Sequence, residues 1–273
     1  MLRKVLQLIK NNPVIILCHA AYLVINVLVL LFLYPKSFGV DTYMKEGAFD
    51  YSLYMTAMRN ILILALLMFI FSLLFISGYN SMVREAVLSG KTKLIFFLDG
   101  IKNYFGRVLL SALLTTAIII VGSVLLGIVS VPFTIMAASK GIGSVYLVSM
   151  VIMLVTMFLI LIPSPFLVLW FPALFLEDTA VIRSLKLGAK AGYKNYWKLL
   201  LATLLLILPQ VIYSVLNYNV MLRGSLFSVG YYILLAVMAV LSLLYNIYLF
   251  ILYHEYSTEL VSILRQEEGN INP

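Results

Sequence analysis

The sequence predicts an all-α fold, that of a polytopic integral membrane protein with six transmembrane helices. The chain has 63% hydrophobic and 11% charged residues, whereas about a quarter of the residues in soluble domains are charged. Its charges are kept out of six long apolar runs. Because hydrocarbon offers the backbone no hydrogen-bond partners, such runs cross a membrane as helices. The residue alternation of a membrane β-barrel strand is absent from them.

Each apolar run is long enough to cross the hydrocarbon core, which takes about 20 residues in a helix. The first run follows Arg3, Lys4 and Lys10, but it exceeds the length of a secretory signal core, and no small-residue cleavage site follows it. We therefore expect it to be retained as a span. The predicted spans of this single transmembrane domain, residues 1–273, are Val14–Tyr34, Asn60–Tyr79, Val108–Ile135, Val145–Leu176, Leu199–Val220 and Val229–Tyr253.

The distribution of lysine and arginine over the connecting segments predicts the orientation. Fourteen of these residues fall on the side that holds both termini, and five fall on the other. Since positive residues are retained on the cytoplasmic side, both termini are predicted to lie inside. The net charge of +8 has the same explanation and does not indicate a nucleic-acid partner. The five residues on the outer side are Lys36, Lys45, Arg59, Lys140 and Arg223.

Two cytoplasmic segments, about residues 82–107 and 178–198, have the pattern of amphipathic helices. In the second segment, five cations recur every three or four residues and form one stripe on a helix. The opposite face includes two glycines four residues apart, which allow close helix approach. The stripe consists of Arg183, Lys186, Lys190, Lys194 and Lys198, and the opposite face of Val181, Leu185, Gly188 and Gly192.

The chemistry of the stripe suggests a ligand. A lysine or arginine near an acidic membrane surface contributes about 1 kcal/mol to binding. The stripe is therefore predicted to contact anionic lipids at the cytoplasmic face of the bilayer, and a cytoplasmic protein partner is the alternative. In the first segment, the apolar run 94–98 is expected to dip into the membrane interface.

An internal repeat with an offset of 92 residues relates the two segments. It predicts parallel hairpin units related by an axis along the membrane normal. The alternative is convergent chemistry, because basic and aromatic residues gather at every cytoplasmic boundary. The matched residues are Gly100 to Phe105 with Gly192 to Trp197, Glu85 with Glu177, and Lys91 with Arg183. Glu259 and Arg265, after the sixth predicted span, have the same separation along the chain as Glu85 and Lys91.

The candidate contact surface for lipid headgroups or a partner is this repeated cytoplasmic rim. The predicted spans carry no ionisable carboxylate or cation at depth, which argues against an ion-coupled transporter. We find no catalytic motif or cofactor site, and His19 and His254 are the candidate metal ligands. The rim residues are Glu85, Lys91, Lys102, Glu177, Arg183, Lys186, Lys190, Lys194, Glu259 and Arg265.

One stretch carries a family resemblance, formed by Trp170-Phe171-Pro172, Glu177, Ser184, Leu187, Gly192 and Trp197. Over about residues 77–205 the chain resembles the six-span membrane domain found beside some bacterial glycerophosphodiester phosphodiesterases, and its stand-alone relatives. A span of that family ends in Trp-x-x-Pro, and Pro172 is one residue closer here. The resemblance implies a multi-pass protein of the bacterial inner membrane. We expect no phosphodiesterase domain in this chain, so no catalytic residue is carried over.

Three functions are compatible with these features. The leading hypothesis is a non-enzymatic membrane module in lipid, transport or envelope function. The alternative is a permease subunit of a transporter, because Glu85-Ala86 and Gly90 are similar to the coupling loop of import permeases. The third hypothesis, a membrane-embedded lipid enzyme, predicts that changing His19 or His254 abolishes an activity.

Overall fold

A computed structural model describes residues 1–33, 44–45, 48–49, 51–139, 141–216 and 229–271. The described part is helical apart from one two-residue antiparallel ladder, in which Met44 pairs with Phe49. The elements are α1 (Leu2–Asn11), α2 (Pro13–Leu33), β1 (Met44–Lys45), β2 (Ala48–Phe49), α3 (Tyr51–Ser89), α4 (Ile95–Ala138), α5 (Ile142–Leu161), α6 (Ser164–Leu167), α7 (Trp170–Leu176), α8 (Val181–Lys194), α9 (Tyr196–Leu216) and α10 (Val229–Ile271).

Several helices in the described part have the length and composition of membrane spans. Four helices of the described part meet both criteria. The helices α1 and α2, bent by 89° at their junction, would make a fifth if together they form one span. In α9, the predicted fifth span, the apolar stretch Tyr196–Pro209 is shorter than a span, and residues 217–220 lie outside the described part. The helical fold is confirmed, with several helices long and apolar enough to span a membrane, and the number six stays a prediction. The four such helices among the described residues are Tyr54–Ser89, Ile95–Met136, Phe158–Leu176 and Ile233–Leu260.

The first amphipathic segment, residues 82–107, is not a separate helix. It consists of the end of α3, a turn that begins at Gly90, and the first turns of α4. Gly90 has a φ of 78°, a left-handed conformation that suits glycine at a helix end. Since no proline interrupts α4 before Pro132, the helix continues from this segment through the third predicted span for 44 residues.

The fourth predicted span is broken into α5, α6 and α7. Pro163 and Pro165 lie at the first break, where each removes a backbone N–H from the helical hydrogen-bond ladder. A proline inside a helix removes one backbone donor and is a natural kink point. Pro132 and Pro209 nevertheless lie inside the continuous helices α4 and α9.

The chain packs as two compact units. The N-terminal unit is Leu6–Val108, and the C-terminal unit comprises Met1–Val5 and Leu109–Pro273. In the core of the C-terminal unit, residues of α7, α8 and α9 pack against α10. The burial of these apolar side chains holds the short helices against α10. The buried core residues are Leu169, Ala173, Ala191, Leu199, Leu249, Leu252, Tyr253 and Tyr256.

In the N-terminal unit, the buried side chain of Asn12 ties the bend between α1 and α2 to the turn between α3 and α4. Its Nδ2 donates hydrogen bonds to the carbonyl oxygens of Leu8 at 2.9 Å and Gly90 at 3.1 Å. Its Oδ1 accepts one from the backbone N–H of Thr92 at 2.7 Å. Pro13, which has no N–H to satisfy, then begins α2. The amide group is thus bonded to three backbone groups.

Two glycines of α8 allow the closest helix approach in the C-terminal unit. A Cβ on Gly188 would lie 2.8 Å from the carbonyl oxygen of Leu169, and one on Gly192 would overlap the carbonyl oxygen of Pro165. Contacts this short leave no room for a side chain, so the glycine face of α8 lies directly on the backbone of the broken span. In the N-terminal unit, Gly100 of α4 is similarly close to α3, with a Cβ position 2.6 Å from the carbonyl oxygen of Ser77.

We predict that Gly192→Ala destabilises the protein by about 1–3 kcal/mol, because the added methyl group meets backbone that cannot rotate away. The matched control is Gly106→Ala in the interior of α4, where nothing lies within 4 Å of the added Cβ. This change should be neutral or stabilising by roughly 0.5–1 kcal/mol. Thermal unfolding of the purified protein in detergent measures both effects. An unchanged melting temperature for Gly192→Ala would contradict the packing described here.

Candidate functional site

The helix α8 divides sharply into a buried face and a charged face. Its buried residues recur at helical spacing. All five cations of the predicted stripe, the last of which lies in α9, have exposed side chains. Leu185, which was expected on the buried face, is half-buried. The buried residues of α8 are Val181, Ser184, Gly188, Ala191 and Gly192.

A buried tryptophan fixes the start of α8 against α7. The indole Nε1 of Trp170 donates to the carbonyl oxygen of Val181 at 3.0 Å and to the hydroxyl of Ser184 at 3.1 Å. The same hydroxyl donates to the Val181 carbonyl oxygen at 2.8 Å. Asp178, in the turn between the two helices, has a φ of 49°, a left-handed conformation that aspartate tolerates better than most residues. These bonds determine the direction in which α8 leaves the broken span.

Two carboxylates in the second half of α10 form ion pairs with basic residues of the C-terminal unit. Lys194 Nζ lies 2.9 Å from Glu259 Oε1 and 5.6 Å from the centre of the Tyr256 ring. Lys4 Nζ lies 2.6 Å from Glu255 Oε1. Glu255 and Glu259 are one helical turn apart and share a face of α10. All four charged side chains are about half exposed, so each pair contributes at most about 1 kcal/mol.

Four cations of the stripe remain free of carboxylates. Within the described part of the chain, no acidic group lies within ion-pair distance of them. Three of them stand on α8, on the side away from the glycine contacts, and the fourth stands on the first turn of α9, beyond the break at Asn195. Such a row of exposed, uncompensated charge has the chemistry to bind anions. The four residues are Arg183, Lys186, Lys190 and Lys198.

Glu177 forms no ion pair with Arg183, the cation six residues after it in the repeated spacing. Its exposed carboxylate instead lies near the hydroxyl of Tyr253 on α10. No cation in the described ranges is within ion-pair distance of Glu177. The contact therefore links α7 to α10 and leaves the stripe of α8 uncompensated, and it gives no support to a charge-paired repeat.

The rim of the N-terminal unit is arranged differently. The Oε2 atom of Glu85 lies 3.8 Å from Nη1 of its sequence neighbour Arg84. Lys91 and Lys102 are exposed, and the hydroxyl of Ser89 donates to the carbonyl oxygen of Lys91 at 2.7 Å.

The three glutamates that match in sequence thus have three different neighbours, namely Arg84, the Tyr253 hydroxyl and Lys194. The asparagines of the matched stretches also differ, since Asn103 lies inside α4 and Asn195 lies at the break between α8 and α9. The side chain of Arg265, in the third copy, lies outside the described part of the chain. The repeat stays a prediction.

The two histidines have separate surroundings. His19, in the N-terminal unit, contacts the Tyr79 ring, with 5.6 Å between ring centres. His254, in the C-terminal unit, is half-buried on α10, and its carbonyl oxygen accepts hydrogen bonds from Ser257 and Thr258. Among the described residues, no group of three or more histidine, cysteine, aspartate or glutamate side chains is close enough together to hold a metal ion.

Comparison with known proteins adds no assignment. The chain matches no protein-family model, no curated protein and no solved structure. The charged face of α8 is therefore interpreted from its own chemistry.

Two buried polar groups were not predicted from the sequence, Asn12 in the N-terminal unit and Ser184 in the C-terminal unit. Asn12 carried a usable signal, because an Asn-Pro pair before an apolar run is typical of a helix start or turn. The helical spacing of the sequence places Ser184 on the buried side of α8. Its hydrogen bond to Trp170 depends on the close approach of α7, which no local sequence pattern indicates.

We predict a coupling free energy of about 0.2–1 kcal/mol between Lys194 and Glu259, because the pair is half exposed. The measurement is a double-mutant cycle with Lys194→Gln and Glu259→Gln, using the free energy of unfolding in mixed micelles. The control cycle pairs Lys190→Gln with Glu259→Gln and should give no coupling, since Lys190 is one turn away and unpaired. Equal coupling in both cycles would show that the ion pair is not specific.

Proposed function

We propose that the chain is a non-enzymatic membrane module whose cationic surface binds acidic lipid headgroups at the cytoplasmic face of a bacterial inner membrane. The proposal includes six spans with both termini inside. It is supported by the charge distribution of 14 against 5 lysines and arginines and by the apolar helices described above. The resemblance to the membrane domain of glycerophosphodiester phosphodiesterases is consistent with a role in lipid or envelope function.

The observation that carries the proposal is the row formed by Arg183, Lys186, Lys190 and Lys198. The opposite face of α8 is in backbone contact with the broken span, so the helix cannot rotate its cations away from their surface. In the proposed topology these cations lie at the cytoplasmic surface of the membrane. Because no carboxylate of the described residues lies within ion-pair distance of them, lipid phosphates are the natural counterions there.

A permease subunit is the second candidate function. Glu85 and Ala86 lie in the last turns of α3, and Gly90 ends that helix in a left-handed conformation. A connecting turn of this kind offers a contact surface to a nucleotide-hydrolysing partner. Stable co-purification with such a partner, lost on Glu85→Gln, supports this function, and isolation of the chain alone under mild extraction counts against it.

We predict that replacing the four free cations by glutamine reduces the amount of acidic phospholipid that co-purifies with the protein, with each cation worth up to about fivefold in affinity. Native mass spectrometry of protein extracted in a mild detergent measures the bound lipid. The control is Arg59→Gln, a change of one exposed charge on the predicted outer side, which should leave lipid retention unchanged.

Two outcomes would contradict the headgroup assignment. Unchanged retention of acidic lipid by the four-residue variant would show that the stripe does not bind headgroups. Unchanged lipid together with the loss of a bound cytoplasmic protein would identify the stripe as a docking surface for that protein instead.

A further inference from the structure

The helix α1 meets α2 almost at a right angle. The two helices are bent by 89° at their junction. The bend is held by Asn12, whose buried side chain is bonded to three backbone groups. Pro13 adds to the break, because a proline disfavours helical backbone in the residue before it. These contacts prevent α1 from continuing along the axis of α2.

The right angle determines how α1 lies relative to a membrane. The apolar helix α2 has 21 residues. At a rise of about 1.5 Å per residue its length is about 30 Å, which matches the hydrocarbon thickness of a bilayer. As the first predicted span, α2 runs along the membrane normal within the usual tilt of about 20°. The axis of α1 is then parallel to the membrane surface within the same tilt.

The side chains of α1 form three faces around the helix axis. One face packs on the protein, with Val5 1% exposed and both Leu8 and Ile9 half-buried. The second face is an exposed apolar strip, in which Leu2 is 64% exposed and Leu6 is 52% exposed. The third face is polar and exposed, and it consists of Arg3, Lys4, Gln7, Lys10 and Asn11.

Two cations border the apolar strip. Arg3 and Lys10 are three and four residues from Leu6, so both are its neighbours on the helix surface. Neither has a carboxylate within ion-pair distance among the described residues. Lys4 lies on the opposite side of the helix from Leu6 and is already paired with Glu255. The uncompensated charge of α1 is thus concentrated beside its exposed leucines.

This arrangement matches the boundary between acyl chains and headgroups. Three of the ten residues of α1 are cations, which are costly to place in hydrocarbon. Exposure of Leu2 and Leu6 to water is also unfavourable. A helix parallel to the membrane surface avoids both costs, because its apolar strip enters the acyl boundary while the neighbouring cations stay at the level of the lipid phosphates.

We propose that α1 lies in the cytoplasmic interface of the bilayer, with Leu2 and Leu6 inserted at the acyl boundary and with Arg3 and Lys10 bound to phosphates of acidic lipids. The bend at Asn12 keeps the helix in this position. The inference rests on the membrane embedding and orientation in the proposed function, but it uses no residue of the α8 stripe.

The test is electron paramagnetic resonance of single nitroxide labels on the full chain, without its native cysteine, in vesicles of phosphatidylcholine and phosphatidylglycerol. The labels are attached at Leu2→Cys, Leu6→Cys, Gln7→Cys and Asn11→Cys. Leu66→Cys, at a site 59% exposed on α3, is the reference for a lipid-facing position. Collisions with oxygen report lipid, and collisions with a neutral, water-soluble nickel chelate report water. Labels at 2 and 6 should favour oxygen, and labels at 7 and 11 should favour nickel.

A second measurement isolates the cations. A larger fraction of phosphatidylglycerol should lower the collision rate of the label at 6 with nickel relative to oxygen, because bound phosphates hold the helix against the bilayer. Arg3→Gln with Lys10→Gln should abolish this dependence on lipid charge. The matched control is Lys4→Gln on the same helix, which should retain the dependence because the charge of Lys4 is already compensated.

The interfacial position is overturned if the labels at 2 and 6 collide with nickel as freely as those at 7 and 11. Low access of both reagents to the strip would also overturn it, and spin–spin broadening would then identify a second copy of the chain as the cover. A lipid-charge dependence that persists in the Arg3 and Lys10 double variant would overturn the phosphate contacts. If the label at 66 reports lipid while those at 2 and 6 report water, this inference alone fails. A label at 66 in water would contradict the membrane embedding and therefore the proposed function as well.

Discussion

The close contact between α8 and the backbone of the broken span determines most of what the C-terminal unit presents to its surroundings. Gly188 and Gly192 touch the carbonyl groups of Leu169 and Pro165, so the helix has a single allowed rotation. That rotation places one face in the core and the cations on the other. Trp170 adds a hydrogen-bonded anchor at the start of the helix. The exposure of the cations on this surface thus depends on the packing of α8 as well as on its composition.

The break between α5 and α7, in the fourth predicted span, creates the surface against which α8 packs. Pro163 and Pro165 interrupt the hydrogen-bond ladder, and α6 follows as a helix of four residues. The carbonyl oxygen of Pro165 then lies where Gly192 approaches it. In the N-terminal unit a polar side chain has the corresponding organising role, because Asn12 satisfies three backbone groups between α1 and the turn at Gly90.

The sequence predicted the membrane class and the charged face of α8 because both depend on local patterns of charge and hydrophobicity. It did not predict where helices break or continue. Asn103 and Asn195 occupy matched positions, yet only the second lies at a helix end. The partner of Glu177 was also missed, since Tyr253 is far away in the chain and only tertiary packing brings it near. An apolar cavity of about 300 Å³ beside Phe97 depends on the fit of α2, α3 and the start of α4, which no local pattern encodes.

The central claim is that the cations of α8 lie at the cytoplasmic surface of a six-span protein. Single-cysteine labelling of intact cells tests this most directly, in a background where Cys18, the one native cysteine, is serine. Tyr193, which is 76% exposed beside the stripe, and Ser139, at the end of α4, are the sites. We expect a membrane-impermeant maleimide to label a cysteine at 139 in intact cells and to label one at 193 only after permeabilisation. Labelling at 193 in intact cells would contradict the cytoplasmic placement of α8.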